Sequence, residues 1–192
     1  MKKVLLLTGI LMLPACSIFV TSPEMPYQPT NTQSELYDLK NWAFEGRIAI
    51  TGKNDAWSAN INWEHSLSED LIKLSGPLGQ GGAIIQLNST GVTIDRGGGD
   101  VQSSTDVENF INQQVGLTVP VSSLRYWIIG LPEKSQAVTK VDKGFEQLGW
   151  QNQYKTMQSV GSYILPKNMT VTGESVRLKL FIDQWILDDK RK

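Results

Sequence analysis

The chain has one cysteine and one histidine among its 192 residues. A single thiol makes no intramolecular disulfide, and one imidazole (His65) without a second ligand makes neither a conventional metal site nor a cysteine–histidine nucleophile pair. Charge of one sign is also lacking. Eighteen basic residues stand against 19 acidic ones, and neither sign forms a block, so no nucleic-acid partner is expected. There is no apolar run of the roughly 20 residues that a helix needs to span a bilayer, no repeat of solenoid type, no Gly-x-Ser-x-Gly elbow and no phosphate loop. The run Gly97-Gly98-Gly99 lacks the lysine and the following helix of a phosphate cradle and reads as a hairpin turn. The expectation is a protein that is not an enzyme, with no catalytic residue, no metal and no cofactor.

What is present begins at the N-terminus. Lys2 and Lys3 precede an apolar stretch over residues 4–13, and Leu13-Pro14-Ala15 leads into Cys16, the pattern of a secretion signal with a small-residue cleavage site. Leucine three places before a cysteine and alanine one place before it resemble the lipobox of bacterial lipoproteins, in which Cys16 becomes the lipidated first residue. The alternative is a plain cleaved signal followed by an incidental cysteine. Several acyl chains on Cys16 would anchor the protein stably where one chain binds only marginally. Ser17 stands where aspartate favours retention in the inner membrane, and so is compatible with the outer membrane. Residues 17–33, with Pro23, Pro26 and Pro29, have no apolar periodicity and read as a flexible tether. The expected plan is a signal peptide over 1–15, lipidated cysteine and tether over 16–33, and a single domain over 34–192, large enough for a substantial core.

Within that domain, apolar residues alternate with polar ones. Trp42, Phe44, Ile48 and Ile50 fall two or four apart, and Trp57, Ala59, Ile61 and Trp63 alternate with Ser58, Asn60, Asn62 and Glu64, as strands with one dry face do. The pattern continues through Ile72 and Leu74, Ala83 to Leu87, and Val92 and Ile94, with turns at residues 52–55, 76–82, 88–91 and 97–100. Thr105 and Glu108 read as a capping box for a helix carrying Val107, Phe110, Ile111 and Val115, stopped at Gly116. A second helix is predicted over 121–129, with Leu124, Trp127 and Ile128 on one side and Gly130 and Pro132 ending it. Strands resume near 138–141, 145–150, 154–157, 162–165, 169–172 and 176–182.

The predicted fold is therefore α+β and mainly β: a curved antiparallel sheet forming an unclosed barrel of about ten or eleven strands, with a helical lid. Its dry face would carry Ile48, Ile50, Trp57, Ile61, Trp63, Ile85, Leu178 and Leu180. The lid would present Phe110, Ile111, Leu124, Trp127 and Ile128. Between them the pattern allows either an apolar cavity for acyl chains or a fully packed core; for the tryptophans, packing is the stronger reading.

Three stretches carry a resemblance: Leu124-Arg125-Tyr126-Trp127-Ile128-Ile129-Gly130-Leu131-Pro132, the Gly76-Pro77-Leu78-Gly79 turn, and the closing Leu165-Pro166-Lys167-Asn168-Met169 with Arg177-Leu178-Lys179-Leu180 and Asp183-Gln184-Trp185-Ile186. Together with the lipobox they resemble the LolA/LolB-like family of lipoprotein carriers, on its outer-membrane receptor side. The resemblance implies a lipid-anchored monomer on the periplasmic face of the outer membrane of a Gram-negative bacterium. Its partners would be a LolA-like periplasmic carrier, client lipoproteins held by their acyl chains, and the inner leaflet of the outer membrane. It also implies that Leu78 protrudes for membrane insertion. The alternatives are that Leu78 caps the barrel end, and that the protein is a passive binding or scaffold module of the cell envelope.

Overall fold

A computed structural model describes residues 25–27, 33–53, 55–76, 79, 81–115 and 120–187. Cys16, Leu78 and Gly116 lie outside the described residues. After a short helix α1 (Gln33–Leu36) come six strands: β1 (Trp42–Thr51), β2 (Ala56–His65), β3 (Glu69–Ser75), β4 (Gly82–Asn88), β5 (Gly91–Asp95) and β6 (Val101–Ser104). Two helices follow, α2 (Val107–Val115) and α3 (Val121–Ile128), and then β7 (Val138–Val141), β8 (Gly144–Gln147), β9 (Trp150–Val160), β10 (Tyr163–Thr172) and β11 (Arg177–Leu187).

All eleven strands form one antiparallel sheet in the order β6-β5-β4-β3-β2-β1-β11-β10-β9-β8-β7. Each half is a meander of sequential neighbours, and the halves join where β1 pairs with β11, Ile48 opposite Leu180 and Ile50 opposite Leu178. The sheet curves but does not close, because β6 and β7 are its two edges. The helical segment connects these edges in sequence, which places it across the opening.

One face of the sheet is dry. In β1, Trp42, Phe44, Ile48 and Ile50 are buried while Glu45, Arg47 and Thr51 are exposed, as a period of two requires. Near the β1–β11 seam, Trp42 lies within 6.1 Å of Phe44, Trp63 and Trp185, ring centre to ring centre. Gly46 sits at a register shift in the seam, and a Cβ there would lie 2.3 Å from the Phe181 carbonyl oxygen, so no other residue lets the strands approach this closely.

Several expected elements differ. The four residues of β6 were not expected as a strand; Val101, Gln102 and Ser103 are all exposed, so this edge carries no alternation to read. The predicted strand over 145–150 is broken by a two-residue turn, Leu148 (φ 54°) and Gly149 (φ 75°), between β8 and β9. The predicted strands over 162–165 and 169–172 are one strand, β10, in which Pro166, lacking an N–H, coincides with a register shift. The capping box does not form: Asp106 rather than Thr105 caps α2, accepting the Asn109 N–H. His65 is the last residue of β2, not a turn residue, and is half-buried, stacked on Trp42.

Candidate functional site: an apolar end cavity under a two-helix lid

The dry-face and lid residues come together in one buried cluster. Ile48, Ile50, Ile61, Trp63, Ile85, Leu178 and Leu180 are buried from the sheet, and Ile111, Leu124, Trp127 and Ile128 from the helices, with Trp57 and Phe110 half-buried against them. A cavity of about 310 Å³ remains at one end, walled by Trp57, Leu74, Ala83, Ile85 and Ile94, with Arg96 and Gln114 beside them. Of the predicted cavity residues Trp57 and Ile85 line it; Ile50, Ile61, Trp63 and Leu178 are buried in the cluster, and Ile48 and Leu180, buried as well, also border a second depression described below. That volume is at the low end of about 300–1,000 Å³ for ligand clefts.

Ser75, Gly76, Gly81 and Gly82 form the rim of this cavity, and these residues flank Leu78 in the chain. The bend begins with the Gly79 N–H donating to the Gly76 carbonyl at 2.8 Å. Gly79 and Gly81 have φ of 72° and 66°, a region that side-chain-bearing residues disfavour. Two larger depressions, of about 450 and 550 Å³, lie on the outer face of the sheet among polar residues such as Asn62, Glu64, Arg47 and Lys179; Arg47 there pairs with Asp183 at 2.9 Å.

The two helices are held differently. Helix α3 is fixed by buried hydrogen bonds: the Trp127 indole N–H donates to Gln147 Oε1 at 2.9 Å, and the Tyr154 hydroxyl donates to the Trp127 carbonyl at 2.7 Å. Gln147 in turn donates to the Glu133 carbonyl and accepts the Glu133 N–H. Burial raises the Tyr154 hydroxyl well above its usual pKa of 10.0, so it stays a neutral donor. Near the C-terminal end of α2, Gln114 makes exposed polar bonds, accepting from Arg96 and donating to Gln102. Exposed bonds of this kind exchange readily with water, so α2 is the more easily displaced element.

Glu108, at the start of α2, accepts the Val121 and Ser122 backbone N–H groups and the Ser122 hydroxyl, the last at 2.6 Å. It thereby caps α3, whose own N-cap position is Pro120, with no capping side chain. Glu108→Ala removes that cap and is expected to cost about 1–2 kcal/mol. For a domain of this size the melting temperature falls roughly 2–8 °C. An unchanged melting temperature would show that α2 and α3 are not coupled through this carboxylate.

Arg96, Gln114 and Glu108 in these roles were not anticipated. All three act over sequence distances that periodicity does not report. Among the described residues no group of three or more His, Cys, Asp or Glu side chains is placed to hold a metal ion, and no helix is long and apolar enough to cross a membrane.

Comparison with known proteins follows the same lines. A family described as "Outer membrane lipoprotein LolB" matches residues 40–185. An outer-membrane lipoprotein LolB of Nitrosococcus oceani is 29% identical over 96% of this chain and 96% of its own. One from a Marinomonas species is 30% identical over 92% of this chain and 93% of its own. Among solved structures, a DUF1329 family protein from Desulfovibrio piger superposes with a TM-score of 0.51 over 83% of this chain and 90% of its own, at 7% identity. That is a likeness of fold alone.

Proposed function

The chain belongs to the outer membrane lipoprotein LolB family, and on that basis we propose that it is an outer-membrane-anchored receptor for lipoproteins. It accepts them from a LolA-like periplasmic carrier by their acyl chains and inserts them into the inner leaflet of the membrane. Cys16 holds the anchor. The observation that carries the reading is that the apolar cavity opens on the loop flanking Leu78, so the path out of the cavity and the insertion element share one rim.

A cavity of about 310 Å³ is small for the several acyl chains of a lipoprotein. Swinging α2 about its Glu108 end, with the Arg96–Gln114 bond released, would extend it along Ile85, Ile94 and Ile111 without disturbing α3. No nucleotide is needed if the receiving cavity holds the chains better than the carrier does. Burying one methylene is worth about 0.8 kcal/mol and a tenfold preference is about 1.4 kcal/mol, so two more buried methylenes suffice to set the direction.

The packed inner face also fits a passive scaffold. Mixing the protein with lipoprotein-loaded carrier and measuring where the lipoprotein resides separates the two. Transfer to this chain, then to added membranes, is expected; a lipoprotein that stays on the carrier would overturn the receptor reading.

A further inference from the structure

The opposite end of the barrel has its own exposed leucine and its own pocket. Leu67 stands at the tip of the turn between β2 and β3 and is 76% exposed, the highest value among the exposed large apolar residues described. The turn that carries it is rigid: Ser66 Oγ accepts the Ser68 and Glu69 backbone N–H groups, and the Ser66 N–H donates to the Glu69 carbonyl at 2.9 Å. Held in this way, Leu67 does not fold back onto the core.

Beside Leu67 opens a pocket of about 200 Å³ whose floor is Leu36, Trp42 and Ile129 and whose ionisable lining includes Lys40, His65 and Arg125, with no carboxylate. Glu35 and Asp38 are neighbours in sequence but do not line it. The nearest acid, Asp70, is buried behind the pocket and already engaged, accepting Trp63 Nε1–H at 2.9 Å, with His65 Nδ1 at 2.6 Å and Arg125 Nη1 at 3.6 Å. Arg125 also donates from Nε to the Ser122 carbonyl, so its guanidinium is fixed in place while remaining 37% exposed. Lys40 has no hydrogen bond or ion pair among the described residues. An apolar floor with two cations at its mouth suits a phosphate that continues into an apolar body.

The N-terminal segment enters at the same end. Met25 pairs antiparallel with Met157, extending the sheet edge of β9 where β8 has ended, and Tyr27 stacks on Tyr154 at 4.6 Å. Since β9 runs toward the end where Leu67 lies, the antiparallel segment comes in from that end. Only residues 17–24 separate Cys16 from this clasp, a reach of about 25–30 Å at full extension.

We infer that this end is a membrane-resting surface, in which the pocket takes the phosphate of a phospholipid headgroup between Lys40 and Arg125 while Leu67 enters the interface. The short span to the anchor and the leucine at the rim select a lipid over a free anion. In this pose the cavity rim, at the other end of β3, faces the periplasm. That is the direction from which a soluble carrier comes. Turning the rim toward the bilayer then requires the Met25–Met157 clasp to release. The inference rests on membrane attachment and not on the transfer role.

The test uses the mature lipidated protein carrying Leu67→Cys, labelled with an environment-sensitive fluorophore and reconstituted in vesicles. In phosphatidylglycerol vesicles the label is expected to report an apolar interface, and in phosphate-free galactolipid vesicles it is not. Lys40→Gln and Arg125→Gln should each lower the ratio of inserted to uninserted protein about fivefold, the equivalent of about 1 kcal/mol per cation near an anionic surface. Lys40→Gln removes a side chain without a described partner and carries the test if Arg125→Gln weakens the fold. Equal signals in both vesicle types, or signals indifferent to both substitutions, would overturn the inference. So would inorganic phosphate raising the melting temperature while vesicles leave the label in water, since that marks a site for a free anion. Acceptance of lipoprotein from the carrier should be unchanged in Lys40→Gln; a loss of acceptance in the unsubstituted protein counts against the receptor reading alone.

Discussion

Leu78→Glu is expected to stop delivery of lipoproteins into membranes while leaving the fold and acceptance from the carrier nearly as they are. The argument starts from the flanks of the loop. Gly76 and Gly81 form the rim of the end cavity, and a Cβ added at Gly79 or Gly81 would meet nothing within 4 Å, so the described part of the loop stands clear of the core. Inserting a leucine side chain into lipid gains roughly 2 kcal/mol, a factor of about 30 in partition. A carboxylate forfeits that gain and adds a desolvation cost of its own. Delivery, read as the lipoprotein fraction that floats with added vesicles, should fall at least 30-fold by this arithmetic. Accumulation of lipoprotein on the variant, as a stalled complex, is the accompanying sign. A melting temperature lower by many degrees, or delivery at the unsubstituted rate, would show that Leu78 is a packing residue.

Leu180→Asp should have the largest effect on folding. Leu180 is 1% exposed on β11, opposite Ile48 of β1 and Met169 of β10, both buried. Replacing it by alanine would cost about 2–5 kcal/mol through lost burial and the void left behind. An aspartate adds an unpaired charge with no cation among those facing residues, worth several kcal/mol more. The sum approaches the whole stability of a typical domain, about 5–15 kcal/mol. Purification from the periplasm should therefore yield little folded protein, and far-ultraviolet circular dichroism should show the sheet signal lost at room temperature. If instead the variant melts as the unsubstituted protein does, the seam is a water-accessible lining and not a core.

The parts that were legible are those whose physics is local. Alternation along Trp42–Thr51 and Ala56–His65 follows from a sheet wet on one side only, and helix α3 was readable because Leu124, Trp127 and Ile128 fall on one side and Gly130, at φ 90°, ends it. Edge strand β6 was not, since a strand exposed on both faces has no alternation. The turn at Leu148 was hidden because leucine is not chosen for turns. The lid faced the same limit: Phe110 and Ile111 announce an amphipathic helix, but nothing local says that Glu108 caps the next helix or that Gln114 reaches Arg96. Periodicity places a side chain on a face; it does not say whether that face is filled. Hence Trp57 and Ile85 border the end cavity while Ile61 and Leu178, with the same spacing, are buried in the cluster.

The seam between β1 and β11 has a consequence for how the molecule is made. The first strand of the sheet has its partner in the last, so the middle of the sheet is the last part that can assemble as the chain emerges from its start. Until β11 arrives, β1 offers an unpaired edge along its whole length, and Ile48 and Ile50 lack the Leu180 and Leu178 that cover them. Contacts spanning nearly the full chain form slowly, because a long loop must close before they contribute. A secreted chain benefits from that delay. A polypeptide that cannot complete its central seam until its C-terminal strand is free stays threadable through a narrow conduit, and truncation by a single strand would leave it open to proteolysis as well as inactive.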